Sequence, residues 1–381
     1  MTAVPVDEQL RVLLSPPDAL DQAAYFAQLV ERGGWAVEVR PDAGGGRGKG
    51  LFATQDLEEG DVIFTEAPVI AARLLPGGDA AGAFADRPRL EALASGAERL
   101  PHTERFPLPP LVACPGGCSD EAYCSAAHAD ETNDIFHVAA QAMAKTLLRA
   151  RRLLSDAPQR DPERCWEALR AAWLPFAVAW KAPWWECVAR PDDVSAAEEG
   201  AFRAELRGLA ADSLELLRAA LFDTRFPALF ELELFGAIIG IFELNNLDII
   251  VNSPVEEYLL FVHEEHEGVM SDDAAATAQR LTRPLLDALG DAYDAQAQGT
   301  GFFALQSCAN HDCAPSAHAV KPPGSADGAA VISAARRIRA GDEITLCYVD
   351  GDAPLAERHA ALRDYGFVCA CERCCREAAA A

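Results

Sequence analysis

Basic residues are scarce in this sequence. Its 381 residues carry 33 Lys and Arg against 59 Asp and Glu, a formal net charge of −26. That deficit argues against non-specific binding to duplex nucleic acid, which needs clustered cations. It suits encounter with a basic protein partner, and it equally suits simple solubility. Long apolar runs are missing too. No stretch approaches the ~18–20 residues of a membrane span. The longest, residues 235–242, has Glu231, Glu233 and Glu243 around it. The segment at Met1 lacks a basic stretch followed by an apolar one, so it does not read as a secretory signal. No fixed-period repeat is present.

What is there supports a folded protein. Half of the residues are hydrophobic and 8% are aromatic, enough for a sizeable core. The length allows one large domain or two to three ordinary ones. The 12 Cys read as metal ligands or buried thiols in a reducing compartment rather than as disulfides.

Residues 1–33 carry a helical pattern, Leu10, Leu13 and Leu14 then Tyr25, Phe26 and Leu29, broken by Pro16 and Pro17. Residues 35–39 alternate as a strand. A glycine-rich turn spans 44–50, and 51–54 and 61–69 read as strands joined at Glu58-Glu59-Gly60. Residues 72–112 read as a long loop or insertion. From about 135 to 221, apolar residues recur at helical spacing. One stripe is Met143, Leu147, Leu148 and Leu153; another is Leu206, Leu209, Leu214 and Leu217. Trp166, Trp173 and Trp180 step by seven and, with Trp184 and Trp185, read as a core seam. Residues 228–251 read as a helix entering a strand near 247–251. Residues 256–263, 329–338 and 342–348 read as strands.

Four segments carry chemistry. The first is Gly44-Gly-Gly-Arg47-Gly48-Lys49-Gly50-Leu51. It is no phosphate loop, because Gly50 follows the Lys where Ser or Thr belongs, and no dinucleotide register fits. Its glycines let the backbone approach a ligand closely, or simply close a hairpin. The second is Asn310-His311-Asp312-Cys313-Ala314-Pro315, a polar pair beside a potential thiolate ligand. The third, residues 341–348, is a polar turn feeding a strand that ends in Tyr348. The fourth is Tyr365-Gly-Phe367-Val-Cys369-Ala-Cys371-Glu-Arg-Cys374-Cys375. Its Cys-x-Cys-x-x-Cys supplies three thiolates. Zinc prefers a tetrahedron of four ligands, and Cys313 is the obvious fourth. Cys165, Cys187, Cys308 and Cys347 lack ligand spacing and read as buried small apolar residues. Cys375 reads as a bystander. His263, Glu264, Glu265 and His266 read as an exposed loop rather than a metalloprotease motif.

In this order, the four segments resemble the SET-domain protein methyltransferases. Gly48-Lys49-Gly50-Leu51-Phe52-Ala53, with Gly60-Asp-Val-Ile-Phe64, is similar to that family's first strands. Asn310-His311-x-Cys313-x-Pro315 resembles its Asn-His-Ser-Cys-x-Pro-Asn signature, with Ser316 replacing the final Asn. The third segment resembles its Gly-Glu-Glu-Ile-Thr-x-x-Tyr element, and the fourth its post-SET zinc site. Cys114-Pro-Gly-Gly-Cys118, then Tyr123-Cys124-Ser125 and His128, is similar to the second half of a MYND zinc finger. The plan therefore resembles the split SET-and-MYND lysine methyltransferases. Around Phe242-Glu-Leu-Asn245-Asn246-Leu it looks closer to the plant Trithorax-related SET proteins.

The resemblance implies an α+β fold: a β-rich SET domain split by a helical and zinc-finger-like insertion, with a post-SET zinc cluster. The implied boundaries are an N-terminal helical extension at 1–34, SET segments at 35–75 and 228–350, an insertion at 76–227 with its finger at about 111–137, and a post-SET segment at 351–381. The finger lacks the leading Cys-x-x-Cys of a full MYND module, and His128 stands where Cys is usual. It is expected to hold at most one zinc, through Cys114, Cys118, Cys124 and His128, with His137 a rival ligand; loop cysteines without metal are the alternative.

The implied activity is S-adenosylmethionine-dependent protein-lysine N-methylation, with Tyr348 at the catalytic end of the lysine channel. Gly48, Lys49 and Gly50 would face the methionine end of the cofactor. Asn310 and His311 would hydrogen-bond it, Phe367 would stack on adenine, and Asn245 or Asn246 would add a polar contact. Cys313, Cys369, Cys371 and Cys374 would hold zinc. A histone tail is the leading substrate, and the protein is expected to be a monomer in nucleus and/or cytoplasm, with neither a membrane nor sequence-specific nucleic acid as a partner. A non-histone substrate, or a non-catalytic interaction scaffold of the same fold, is the alternative.

Overall fold

A computed structural model of the chain describes residues 4–73, 102–105, 112–113, 122–123, 135–154, 161–191, 194–251, 258–265, 268–289, 297–320 and 328–380. Two helices open it, α1 (Val6–Leu14) and α2 (Ala19–Gly33). Pro16 and Pro17 separate them. Asp18 starts α2 by accepting hydrogen bonds from the Leu20 and Asp21 N–H groups, at 3.0 and 2.9 Å. Gly34 ends it in the left-handed region, with φ 65°. Strands β1 (Val37–Arg40), β2 (Gly50–Ala53), β3 (Val62–Glu66) and β4 (Ile70–Arg73) follow. The glycine-rich turn joins β1 to β2. A Cβ on Gly50 would lie 2.7 Å from Ala43 Cβ and 3.1 Å from Glu343 Oε1, so the turn closes only over glycine.

A short antiparallel pair comes next, β5 (Val112–Ala113) and β6 (Ala122–Tyr123). Helices then dominate: α3 (Ile135–Leu153), α4 (Pro162–Ala177), the single turn α5 (Trp184–Cys187), α6 (Glu199–Leu221) and α7 (Leu232–Asn245). Asp161 caps α4 by accepting from Glu163 N, and Pro162 sits at its first turn, where no N–H is missed. The remainder is β7 (Asn246–Val251), α8 (Asp272–Leu289), β8 (Ala297–Phe302), β9 (Asn310–His311), β10 (Ala317–Val320), β11 (Ala330–Ala334), β12 (Glu343–Leu346), α9 (Leu355–Leu362) and α10 (Glu372–Ala380).

Early and late strands interleave. The four-stranded sheet runs β1-β2-β12-β9, and three-stranded sheets run β10-β11-β3 and β4-β8-β7. In the first, Leu51 of β2 faces Ile344 of β12 in an antiparallel pair. The other edge of β12 pairs in parallel with β9, Thr345 opposite Asn310 and Leu346 opposite His311. Ser316 supports this junction: its Oγ donates to Glu343 O at 3.1 Å and accepts from Thr345 N at 2.9 Å. Its small hydroxyl thus fastens the Asn-His segment to β12 without the Asn found in the related signature.

The main core joins the helices to the sheets. It includes Leu13, Phe26, Leu51, Phe64, Trp173, Phe230, Phe235, Ile238 and Ile344. Helix α7 is buried nearly all round, from Leu234 to Phe242, as its unbroken apolar run requires. Among the described residues, no helix is long and apolar enough to cross a membrane.

Four local expectations are corrected. Of the two helical stripes, Met143, Leu147, Leu206 and Leu214 are buried, whereas Leu148, Leu153 and Leu209 are exposed, because those positions rotate off the packed face. The Trp seam holds at Trp173, Trp184 and Trp185 but not at Trp180, which is 69% exposed. Helix α4 ends at Ala177, so the seven-residue step loses its meaning three residues before Trp180. Residues 258–265 form helical turns, ending in a π-type turn at Phe261–Glu265, rather than a strand. His263 is half-buried there, bonded to Thr282 Oγ1 at 3.0 Å, rather than lying on an exposed loop.

Candidate functional site

The β9–β12 pairing sets the site. Asn310 and His311 stand on β9, and Tyr348 follows β12 by two residues. Asn310 Nδ2 donates to Lys49 O at 3.0 Å and to Glu343 Oε1 at 2.9 Å. It thereby ties the glycine-rich turn to the strand that leads to Tyr348. Arg47 closes the same corner with an ion pair to Glu343 Oε2 at 2.7 Å. Gly48, at φ 71°, has nothing within 4 Å of where a Cβ would stand, so open space adjoins this backbone.

His311 is the hub. Its Nδ1 accepts from Tyr348 N at 3.0 Å, and its Nε2 meets Cys313 Sγ at 3.2 Å. An accepting Nδ1 assigns the ring proton to Nε2, which then donates to the sulfur. Burial pushes the His311 pKa down to about 4, so the imidazole is neutral at physiological pH. The Tyr348 hydroxyl donates to Ala309 O at 2.6 Å. Burial, with Tyr365 close by, drives that phenol well above its ordinary value. Tyr348 therefore stays protonated. Aromatic rings surround the pair: His311 lies 5.4 Å from Tyr348 and 5.9 Å from Phe367, and Tyr348 lies 5.2 Å from Tyr365, centroid to centroid.

Behind this wall, Cys313, Cys369, Cys371 and Cys374 bring four sulfurs within 4.8 Å of one another. On a tetrahedral shell of ~2.3 Å bonds, sulfurs stand about 3.8 Å apart, so the set fits one thiophilic ion. Burial pushes the Cys313 thiol far up, and Cys369 up to about 11. Burial opposes the Cys371 thiolate as well, but N–H donors led by Cys374 outweigh it and bring that pKa below its ordinary value. A bound cation would offset the charge that burial disfavours. Arg358 is 1% exposed; it donates to Ala353 O at 2.6 Å, approaches Cys374 Sγ at 3.8 Å, and pairs with Glu377 at 2.5 Å. Arg373 reaches Cys313 O at 3.0 Å and Gly351 O at 2.7 Å. Cys375 is exposed and outside the cluster. Cys165 and Cys308 are buried; Cys187 and Cys347 are only half-buried.

The structure thus brings together Gly48, Lys49, Gly50, Asn310, His311, Tyr348, Phe367 and the four C-terminal-site cysteines. Asn245 is drawn in differently. Its Nδ2 donates to Trp180 O at 2.8 Å and Ile241 O at 2.9 Å, and its Oδ1 accepts from Trp180 N at 3.2 Å. Its amide is committed to holding the loop after α4, while Asn246 is exposed at the start of β7. Cys114, Cys118, Cys124 and His128 lie outside the described residues, as does the side chain of His137. Sequence reasoning passed over Lys181, half-buried in that loop beside Lys49. The signal was available: a single charge inside the run Ala177-Val-Ala-Trp-Lys181-Ala-Pro-Trp-Trp185.

The strand order, the Asn310–His311–Tyr348 constellation and the thiol cluster define a SET-type lysine-methyltransferase scaffold, and similarity to known proteins agrees. Residues 195–349 match the SET domain family. The chain is 44% identical over 322 residues to histone-lysine N-methyltransferase ATXR2 of Arabidopsis thaliana, covering 75% of this chain and 67% of that protein. It is 24% identical to the protein-lysine N-trimethyltransferase SMYD5 of Mus musculus, covering 94% and 91% of the two. The solved SET domain of LSMT bound to lysine and AdoHcy matches at a TM-score of 0.41 and 11% identity, over 92% of this chain and 58% of that one, a likeness too slight to add weight. The chain belongs to the SET-domain family of protein-lysine methyltransferases.

Proposed function

We propose that this protein transfers a methyl group from S-adenosylmethionine to a lysine side chain, with a histone tail as the leading substrate. One observation carries the reading: the Tyr348 hydroxyl is fixed on Ala309 O while its backbone N–H is fixed on His311, beside a turn opened by Gly48. When bound, the cofactor supplies a methyl group on an electron-poor sulfonium. The protein's part is positional and electrostatic. A free lysine amine titrates near ~10.4, and only its neutral form has the lone pair to react. Beside the rings of Tyr348 and Tyr365 the amine leaves water, and that desolvation disfavours the ammonium. Because the Tyr348 proton is committed to Ala309 O, its oxygen lone pairs are available to accept an N–H and aim the amine. A phenol held this far from ionisation is an orienting group, not a phenolate base.

The adenosyl end would lie against Phe367, with polar contacts from Asn310 and His311. Lys49 and the turn around Gly48 and Gly50 would face the amino-acid end. Zinc would be held by Cys313, Cys369, Cys371 and Cys374, and a second ion by Cys114, Cys118, Cys124 and His128 if the finger is metallated. Residues 76–227 would be an insertion splitting the SET segments at 35–75 and 228–350. The histone reading draws support from ATXR2's description as a histone-lysine methyltransferase and from the −26 charge of this chain. The test is a methyl-transfer assay with labelled cofactor on core histones and a cell-extract panel. Label on a histone lysine is expected. Label only on other proteins rejects the histone, and folded protein that labels nothing and binds no cofactor rejects the activity.

A further inference from the structure

Two lysines converge at the end of α4. Lys49 Nζ donates to Val178 O. Lys181 Nζ donates to Ala177 O at 2.5 Å and to Ala179 O at 3.3 Å. Three successive carbonyls thus carry two ammonium groups. One cation at a helix C-terminus is ordinary, since the exposed carbonyls there favour it. Two are not, because each raises the cost of the other. Burial, and after it the charge on Lys49, lowers the Lys181 pKa to about 7. Among the described residues, neither ammonium has a carboxylate within ion-pair distance, in a chain with 59 acids against 33 bases.

The arrangement is built rather than incidental. Lys181 follows Trp180, whose N–H and carbonyl are both held by Asn245, with Trp180 N to Oδ1 at 3.2 Å and Nδ2 to Trp180 O at 2.8 Å. On its other side, Ala182 O presses on α7 so closely that a Cβ at Gly240 would lie 1.9 Å away. Trp184 Nε1 then donates to Glu243 Oε1 at 3.2 Å. The loop is therefore pinned to α7 on both sides of Lys181, which fixes the backbone from which its side chain springs. Lys49 is fixed independently, since its carbonyl accepts from Asn310 Nδ2 at 3.0 Å. That bond makes the lysine pair continuous with the site built on β9 and β12.

We propose that Lys181 adds a second cation beside Lys49 at the amino-acid end of the methyl donor, receives its carboxylate, and so selects donors that carry this group. The inference rests on the reading that the site binds S-adenosylmethionine. A carboxylate has two oxygens and can receive one ammonium on each. Its charge offsets the repulsion between the two ammonium groups.

Calorimetry with two ligands separates the alternatives. S-adenosylhomocysteine carries the carboxylate; 5′-methylthioadenosine keeps the nucleoside and thioether without it. The full chain and its Lys181→Met, Lys181→Gln and Lys181→Arg variants are compared, with thermal melting to verify folding. Lys181→Met and Lys181→Gln should weaken S-adenosylhomocysteine by roughly tenfold to hundredfold. They should leave methylthioadenosine within about twofold, because that ligand never meets the subsite. Lys181→Arg should recover most of the affinity. Equal weakening of both ligands, or unchanged S-adenosylhomocysteine binding in folded Lys181→Gln, overturns the subsite. Wild-type protein that binds neither ligand overturns the cofactor reading itself, and the subsite with it.

Discussion

At the residue scale, function rests on side chains whose ordinary chemistry is altered by burial. Tyr348 is the first. Removing its hydroxyl leaves the ring, the His311 contact and the backbone bond to His311 in place, since none of these involves the phenol oxygen. Tyr348→Phe should therefore lower turnover by about a hundredfold or more while changing cofactor affinity by only a few-fold. Single-turnover kinetics beside calorimetry measures both, and equal losses in the two would count against an orienting role. Glu66 is the second. It is 3% exposed and accepts from Leu305 N at 2.9 Å and Gln306 N at 2.9 Å, at the head of the turn that leads to Asn310. Burial outweighs those bonds and raises its pKa from 4.5 to about 7. A raised carboxyl favours the folded state only while protonated. Its contribution is complete below about 4.5 and is lost as pH rises through about 7, a span worth roughly 3 kcal/mol. Wild type should accordingly lose melting temperature between pH 5 and pH 8 by a component that Glu66→Gln lacks. Identical pH profiles for the two proteins would remove this assignment. Glu66 and Lys181 share a sequence mark, a lone charge in an apolar run, and that mark carries information because an unpaired charge is costly to bury.

At the element scale, legibility followed the strength of local pattern. The break between α1 and α2 was readable because two prolines and an Asp cap enforce it. The strands β2, β3, β11 and β12 were readable from short apolar runs and flanking turns. The two-residue β9 was not, because its existence depends on a parallel neighbour that only the tertiary fold supplies. The Trp seam failed at Trp180 because a seven-residue step means nothing beyond the end of its helix. The thiol cluster was readable through Cys-x-Cys-x-x-Cys, but its surroundings were not. Arg358 lies on α9 and Glu377 on α10, and no spacing announces that they meet over Cys374. These contacts give two variants with separable outcomes. Cys371→Ser removes a ligand and should lower bound zinc by one per chain, loosening α10 and weakening cofactor binding through Phe367. Arg358→Met keeps every ligand but withdraws a donor from Cys374, so it should retain the ion with about tenfold to hundredfold weaker affinity in chelator competition. Metal analysis and limited proteolysis of the C-terminus measure both. An unchanged zinc content in Cys371→Ser would dismantle the cluster.

At the scale of the whole molecule, chain ends that are far apart in sequence share one sheet. Leu51 faces Ile344, and Glu66 holds the turn at Leu305, so the residues that open and close the site are welded across more than two hundred positions. Long-range closure of this kind makes the site an all-or-none property of the fold, because no single segment contains it. The charge is also a property of the whole. A net charge of −26 creates an attractive field for a Lys- and Arg-rich peptide, a field that acts on encounter rather than on the chemical step. Encounter should then be salt-sensitive while turnover is not. Raising NaCl from about 50 mM to about 300 mM shrinks the screening length from roughly 14 to 6 Å. KM for a basic histone-tail peptide should rise about tenfold across that range, with kcat within about twofold. A peptide of the same length with its non-target Lys and Arg replaced by Gln should show a higher KM and almost no salt dependence. If both peptides respond to salt alike, or if kcat carries the effect, the acidic surface serves solubility rather than recognition.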